Sequence, residues 1–287
     1  MSKLLQRIIV VAGPTASGKS DFGVELALKL HGEIISADSR QVYRELDIGT
    51  GKITDEEKKG IPHYMLDICD INESFSVSEF TVKALPIIED IISRGKAPIV
   101  CGGTGQYIDA IMYENTPPKV APNKMLREKL EKLSTEELFA ELVKKDRRRA
   151  EKIDKHNRVR LIRALEIIHT LGKVPENNIL APRFEVEFYL MNPTKEALEE
   201  RVHKRLLKRF DMGMIQEMES LIAQGYDLGV LAQKGIEYKY MAKYLEGKLN
   251  YDELVAALKI ATWQYAKRQR TWNKKYMSFA KMIEVRE

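Results

Sequence analysis

Cysteine is almost missing from this 287-residue chain, and tryptophan is equally sparse, with two of each. Cys69 and Cys101 cannot build a disulfide framework and lack metal-ligand spacing, which fits a reducing cytoplasm. His31, His63, His156, His169 and His203 show no ligand spacing either, so nothing supports a zinc site. No run approaches the ~18 apolar residues of a membrane helix, so no integral membrane protein is expected. Met1-Ser2-Lys3 passes into Ile8-Ile9-Val10-Val11 with no small-residue cleavage site following, and no secretory signal is expected. Internal repeats and low-complexity segments are also lacking. The remainder is ordinary globular composition, 44% hydrophobic and 31% charged.

Charge of one sign is in small excess only, 47 Lys plus Arg against 42 Asp plus Glu, a net +5. That surplus proves nothing about nucleic acid, but its distribution is uneven. Lys144 to Arg149, Lys204 to Arg209 and Lys267 to Lys275 are the main basic clusters. Each reads either as a solvated helix face or as part of a surface for a polyanion.

The first 110 or so residues alternate strand and helix. Arg7 to Ala12, Glu33 to Ala37, Tyr64 to Ile68 and Pro98 to Cys101 read as short strands, and Val77 to Ser93 has helical periodicity. Strands separated by helix-length segments predict an α/β fold with a parallel sheet, whose ligands bind beyond the carboxyl ends of the strands. Thr116-Pro117-Pro118 and Pro122 mark a linker, and Lys124 to Leu171 reads as a small all-helical insertion. Pro175 to Pro182 is a loop, after which Glu185 to Leu190 alternates as a strand that rejoins the sheet. The expected divisions are 1–115 for the first part of the core, 116–184 for the insertion and 185–287 for the second part. Two helices are predicted in the last part, Thr194 to Gln224 and about Tyr251 to Lys275, the latter capped by Asn250 and Glu253.

Gly13-Pro14-Thr15-Ala16-Ser17-Gly18-Lys19-Ser20 fills the pattern G-x-x-x-x-G-K-[ST] between an apolar strand and a helical segment, the context that a phosphate-binding P-loop requires. Its backbone N–H groups and the helix N-terminus would cradle phosphate oxygens. Lys19 would hold the terminal phosphates, and Ser20 would present its hydroxyl to Mg²⁺. The strand that would carry a hydrolytic acid ends instead in Gly102-Gly103-Thr104-Gly105-Gln106-Tyr107, and Asp67 is a weak substitute. No N-K-x-D element occurs. A polyphosphate used as substrate is favoured over a motor ATPase or a GTPase.

Asp38 follows the second strand, where a carboxylate could take a proton from an acceptor substrate or could merely cap a turn. Leu198, Val202, Leu206 and Phe210 recur every four residues, with Arg201, Arg205 and Arg209 about 60° round the same helix. Those arginines suit a diphosphate, or else they cover apolar surface with solvated heads. In the C-terminal helix Leu254, Leu258, Ala261 and Tyr265 read as the core face. Trp263, Tyr265, Lys267, Arg268, Arg270, Trp272, Lys274 and Lys275 could follow a nucleic-acid backbone and stack on bases, or the tryptophans could simply pack.

Taken together the motifs resemble the bacterial tRNA dimethylallyltransferases. The matches are GPTASGKS at Gly13 to Ser20, ISADSRQVY within Ile34 to Tyr43, GTGK at Gly49 to Lys52 and IPHYMLDI at Ile61 to Ile68. PIVCGGTGQY at Pro98 to Tyr107, RLIRALEI at Arg160 to Ile167, YLEGKLNYDE at Tyr244 to Glu253 and AKRQRTW at Ala266 to Trp272 complete the series.

The resemblance implies a P-loop NTPase-like core with a helical insertion that grips the anticodon stem–loop of tRNA. It implies transfer of a dimethylallyl group from dimethylallyl diphosphate to the exocyclic amine of the adenosine beside the anticodon, with the two substrates entering a channel from opposite ends. By motif position Asp38 is the general base, Gly13 to Ser20 with Lys19 is the diphosphate cradle, and Arg209 binds the departing diphosphate. Asp38, Ser39, Arg40, Gln41, Thr104, Arg127, Val159, Arg160, Leu161, Ile162, Arg163, Lys234, Gly235, Ile236, Glu237, Tyr238 and Lys239 fall where the family contacts tRNA. Mg²⁺ at Ser20 is the implied cofactor, and a cytoplasmic monomer is expected.

The chain departs from the family pattern at Glu237, where glycine is usual, and at Asp154-Lys155-His156-Asn157, where His-Pro-Asn is usual. Three alternatives stand beside this reading: an isopentenyltransferase acting on free adenine nucleotides, a small-molecule kinase, and a non-catalytic RNA-binding protein.

Overall fold

In the computed structural model Arg7–Ala12 is β1, and its side chains alternate between two cores. Ile8, Val10 and Ala12 enter one cluster, Ile9 and Val11 another. A strand buried on both faces needs helices on both sides. The chain supplies them through α1 (Lys19–Leu30), β2 (Gly32–Ser36), α2 (Asp55–Lys58), β3 (His63–Tyr64), α3 (Val77–Ser93), β4 (Ala97–Gly102) and α4 (Gly105–Met112). Phe80, Ala84 and Ile88 of α3 and Ile108 and Ile111 of α4 cover the first face, and Val24 and Ala27 of α1 cover the second. The structure describes residues 5–114, 118, 120, 121, 123–175 and 181–284. The expected linker residues Thr116, Pro117 and Pro122, and most of the loop expected between Pro175 and Pro182, lie outside them.

The chain divides into two compact units, Met1–Glu114 with Ala181–Glu287, and Asn115–Leu180. The second holds α5 (Lys124–Leu130), α6 (Thr135–Lys145), α7 (Arg147–Ala150) and α8 (Arg158–Leu171). Leu138 and Leu142 of α6 pack on Leu161, Leu165 and Ile168 of α8, with Leu130 and Ala150 closing the cluster. Its one fully buried carboxylate among the described residues, Glu166, accepts from Arg127 Nε and Nη2 at 2.7 and 2.8 Å and from the Asn123 backbone N–H at 3.0 Å. Burial alone would raise the pKa of Glu166, but these donors and Arg163 hold it below its ordinary value.

The first unit continues with β5 (Glu185–Met191), α9 (Lys195–Asp211), α10 (Met214–Ala223), α11 (Leu228–Leu231), α12 (Ile236–Leu245), α13 (Tyr251–Asn273) and β6 (Lys281–Ile283). Among the described residues six strands form one sheet in the order β3-β2-β4-β1-β5-β6, every pair parallel. Ala12 stands opposite Gly102 and Leu190, and Ser36 opposite Cys101, so the carboxyl ends of β1, β2, β4 and β5 share one edge. A third cluster, with Leu206, Met214, Met218, Tyr238, Met241, Leu254 and Leu258, packs α9, α10, α12 and α13 against Val42, Leu46 and Ile71. No helix among the described residues is long and apolar enough to cross a membrane.

Several expectations need correction. The third strand stops at Tyr64, because Met65 and Asp67 take φ of 66° and 56°, and the chain then turns to bond Val42 through the Ile68 and Cys69 N–H groups. Thr194 to Gln224 is two helices, since Gly213 at φ 94° breaks the run after Asp211. The buried stripe of α13 runs from Leu254 and Leu258 through Thr262, Ala266, Gln269 and Asn273, leaving Ala261 and Tyr265 half-buried at its flank. Trp263 is a packing residue against Leu198 and Val202. Both cysteines are free and buried.

Glu33, read as part of an apolar run, is a buried carboxylate that is 1% exposed on β2. Arg94 donates to both of its oxygens at 2.6 Å, Lys96 donates at 2.6 Å and the Tyr64 hydroxyl at 2.8 Å. The Arg94 bonds chiefly hold Glu33 down to about 2, from an ordinary 4.5. A carboxylate depressed in the folded state stabilises it above the unfolded pKa and loses that contribution as pH falls through the folded one. Glu33→Gln should therefore cost on the order of 3 kcal/mol at neutral pH. Urea unfolding between pH 7 and pH 2 should show the wild-type advantage fading over the window from about 4.5 to about 2; an advantage that persists at pH 2 would contradict this assignment.

Candidate active site

The loop after β1 coils as its glycines predict. Ala16 and Gly18 take φ of 61° and 78°, and the Ser17 N–H donates to Pro14 O at 3.3 Å. Lys19 opens α1 and folds its Nζ back to Pro14 O at 3.4 Å. Burial, and then the charge of Arg205, push its pKa below the usual lysine range. Gln269 of α13 straps this loop to the turn after β4, accepting the Thr15 N–H at 2.7 Å and donating to Gly103 O at 3.0 Å. Ser17 Oγ is buried inside the loop without a protein partner, and Ser20 is exposed at its mouth.

The helix α9 turns two members of its arginine row inward, so the heads of Arg205 and Arg209 are bonded within the protein and not solvated. Arg209 is 7% exposed, and its Nη1 donates to Glu237 Oε1 at 3.0 Å and to Gly49 O at 3.4 Å. Arg205 donates to Thr15 Oγ1 at 3.3 Å and to Gly51 O at 3.0 Å. Burial, followed by the neighbouring Arg209 charge, lowers Arg205 to about 10. The sequence marked Arg205 only through its place in the four-residue row, as one of three arginines that suit a diphosphate or cover apolar surface.

Asp38 lies past the end of β2, but β4 comes between that strand and β1. The step across is short: the Ala37 N–H bonds Cys101 O at 2.8 Å, and the Thr104 N–H bonds Ala37 O at 3.1 Å. Asp38 Oδ1 accepts the Arg40 N–H at 2.8 Å and the Gln41 N–H at 3.4 Å. It is thus a turn cap and a cavity carboxylate at once. A cavity of about 300 Å³ is lined by Thr15, Lys19, Ser20, Arg205 and Arg209 on one side and by Asp38 to Gln41 on another. A second, of about 500 Å³, shares Lys19, Ser20, Ile53, Arg205 and Arg209 with the first and adds Ala16 to Gly18 and Lys208. The two spaces meet at the cations.

The remaining expected tRNA contacts divide. Thr104 accepts the Ser39 N–H through Oγ1 at 3.1 Å and fixes the Asp38 turn. Gly235, Ile236 and Glu237 line the first cavity, and Lys239 is exposed. The side chains of Lys234 and Tyr238, which also line it, are committed internally: Lys234 donates to Glu73 O at 2.8 Å over the Tyr43 ring, and the Tyr238 hydroxyl to Glu217 at 2.6 Å. In the other unit Val159 and Arg160 are exposed, Leu161 and Ile162 are core, and Arg127 and Arg163 are organised by Glu166. Leu161 and Ile162 therefore have no side chain to offer a partner.

Sequence reasoning also missed Glu217 of α10. Its carboxylate accepts the backbone N–H groups of Asp47, Ile48 and Gly49 at 3.0, 2.6 and 3.0 Å, besides the Tyr238 hydroxyl. It thereby holds the loop whose carbonyls, at Gly49 and Gly51, receive the two guanidinium groups. No local pattern announces such a residue, because its three backbone partners are about 170 positions away.

A parallel sheet whose first strand feeds a loop of the full P-loop pattern, with buried cations and a carboxylate round one cavity, defines a P-loop α/β protein. Comparison with known proteins makes this specific. The IPP transferase family model matches residues 41–276. The chain is 40% identical over 281 residues to the tRNA dimethylallyltransferase of Acetivibrio thermocellus, covering 94% of this chain and 90% of that one. Its structure matches the tRNA isopentenylpyrophosphate transferase of Bacillus halodurans with a TM-score of 0.70 at 35% identity, over 97% of this chain and 89% of that one. A eukaryotic dimethylallyltransferase acting on tRNA matches with a TM-score of 0.83 at 28% identity, over 97% and 74%. The chain belongs to the IPP transferase family.

Glu217→Gln tests the support of the arginine pair. An amide oxygen keeps two acceptor sites where four donors converge, and its NH₂ faces the others. The variant should bind inorganic diphosphate about tenfold more weakly by calorimetry, while circular dichroism stays that of the wild type. Undiminished binding would separate Glu217 from the site.

Proposed function

We propose that this chain transfers a dimethylallyl group from dimethylallyl diphosphate to the exocyclic amine of the adenosine next to a tRNA anticodon, position 37, releasing diphosphate. The observation that carries this reading is that Asp38 and the cations Lys19, Arg205 and Arg209 face one cavity. A base for the acceptor and a cradle for the leaving group are what such a transfer needs. The names of the relatives support tRNA as the substrate that carries the adenosine.

The amine nitrogen attacks the allylic carbon, the carbon–oxygen bond to diphosphate breaks, and the nitrogen's proton passes to Asp38. Oδ1 of Asp38 is held by two backbone N–H groups, and Oδ2 has no hydrogen-bond partner among the described residues, which suits it to take that proton. An aryl amine becomes acidic only as its new bond forms, so an ordinary carboxylate suffices. Lys19, Arg205, Arg209 and the loop N–H groups balance the charge that develops on the departing diphosphate. All three cations line the cavity that the diphosphate would enter.

Mg²⁺ fits this site. It takes substrate phosphate oxygens, keeps several waters and needs few protein ligands, so the exposed Ser20 hydroxyl at the loop mouth would hold it together with the diphosphate. No three His, Cys, Asp or Glu residues gather into a metal cage among the described residues, and this mode of binding requires none. When bound, the ion would add positive charge at the leaving oxygens. The free thiols of Cys69 and Cys101 support a cytoplasmic setting, and we take the working unit to be a monomer that grips the anticodon stem–loop.

Mass spectrometry of an unmodified anticodon stem–loop, incubated with the protein, dimethylallyl diphosphate and Mg²⁺, tests the reading. It should show an added C₅H₈ on that adenosine, formed roughly 10²–10⁴-fold more slowly by Asp38→Ala. Addition to AMP or ADP and none to RNA would overturn the tRNA substrate.

A further inference from the structure

Three cations stand close together at the junction of the two cavities, and like charges so placed need a counter-charge when no ligand is present. The crowding is physical as well as electrostatic. Gly51, at φ 60°, lies against both arginine heads, and a Cβ there would come within 2.1 Å of Arg209 Nη2 and 2.4 Å of Arg205 Nη2. Arg205 is served by neutral oxygens only, Thr15 Oγ1 and Gly51 O. Arg209 alone has a carboxylate, Glu237 Oε1 at 3.0 Å, in a pair whose side chains are 9% and 15% exposed.

This contact occupies one of the two terminal nitrogens through which Arg209 could take a phosphate. A guanidinium binds phosphate best through two parallel N–H donors. Arg209 Nη1 is shared between Glu237 and Gly49 O, and its Nε is buried with no partner at all. Glu237 belongs to the first turn of α12 and also lines the first cavity. A diphosphate that takes Arg209 must displace it or share the guanidinium with a like charge.

We propose that Glu237 is an internal counter-anion that occupies Arg209 while diphosphate is absent, is displaced when diphosphate binds, and returns to speed its release. The inference rests on the diphosphate reading above. Glu237 is a positioning residue in this scheme: it touches Arg209, not the reacting atoms. It sets how tightly the leaving group is kept, and Gly49 O still anchors Arg209 once the carboxylate has moved away. A purely structural role for the ion pair would have the opposite signature, since loss of Glu237 would loosen Arg209 and weaken binding.

The test is calorimetric titration of inorganic diphosphate into the wild-type protein, Glu237→Gln and Glu237→Ala, each with and without Mg²⁺. Both variants should bind diphosphate about tenfold more tightly than the wild type in either buffer, and diphosphate should inhibit their transfer reaction at correspondingly lower concentration. In an Arg209→Gln background the same Glu237 substitutions should have little effect, because the pair no longer exists. Equal or weaker binding by both variants would overturn the inference. Weakening confined to Mg²⁺-containing buffer would make Glu237 a metal ligand and would also overturn it. Absence of diphosphate binding to any of the proteins would overturn both this inference and the diphosphate reading itself.

Discussion

The convergence of Lys19, Arg205 and Arg209 on one space is the constraint round which the first unit is arranged. Burial first, and then the repulsion of neighbouring like charges, lower the pKa of Lys19 and of Arg205. The fold keeps them together by surrounding them with fixed acceptors. Gly49 O and Gly51 O face the guanidinium groups, Pro14 O takes the lysine, and Glu237 supplies the one ion pair in the group. Those carbonyls are useful only if they stay in place, which is the task of Glu217 and of the Gln41 amide that also bonds Gly51 O at 3.1 Å. What looks like a scatter of loop hydrogen bonds is one scaffold for an anion site.

Sheet order fixes the other half of the chemistry. With β4 between β1 and β2, the acid after β2 stands one strand further from the phosphate loop than direct neighbours would. The separation is useful, because a proton acceptor and a leaving-group cradle must lie on opposite sides of the transferred carbon. The turn after β4 bridges them: Thr104 steadies the Asp38 turn, while Gly103 O receives Gln269, which in turn accepts the Thr15 N–H. One residue of α13 thus ties the P-loop to the turn that steadies Asp38.

Much of this was legible in the sequence because it is encoded locally. The P-loop carries its spacing in eight consecutive residues, α3 begins and ends where its apolar period does, and α13 starts at the predicted Asn250 cap. Asp38 and Arg209 were reached through motif context and family resemblance. The parts that were not legible depend on distant contacts. The period of α9 runs on past Asp211 into α10, and the break comes from the backbone of one glycine. Only the tertiary packing marks β6, three residues with no apolar alternation that add to the edge beside β5. Glu217 and Gln269 join the site through partners more than 150 residues away. Glu33 shows the same limit in the core: its strand was legible, but the three donors that let a carboxylate be buried there come from outside that strand.

A P-loop usually serves the attack of water or of a hydroxyl on phosphorus, with an acid on a nearby strand organising the metal and its water. Here the third strand is two residues long, and the Asp67 beyond it is bound to Lys52 instead of facing the loop. The β4 terminus carries glycines and a threonine in place of an acid, and Gln269 fills the space against Gly103. In the proposed transfer the arginines would meet the charge of a departing diphosphate, and Asp38, across the same cavity, the proton of an acceptor. On that proposal the same loop that elsewhere helps to break a phosphorus–oxygen bond would stabilise a phosphate leaving group while a carbon–oxygen bond breaks. The shift would need only two arginines and one aspartate placed round the cavity, with the fold beneath them unchanged.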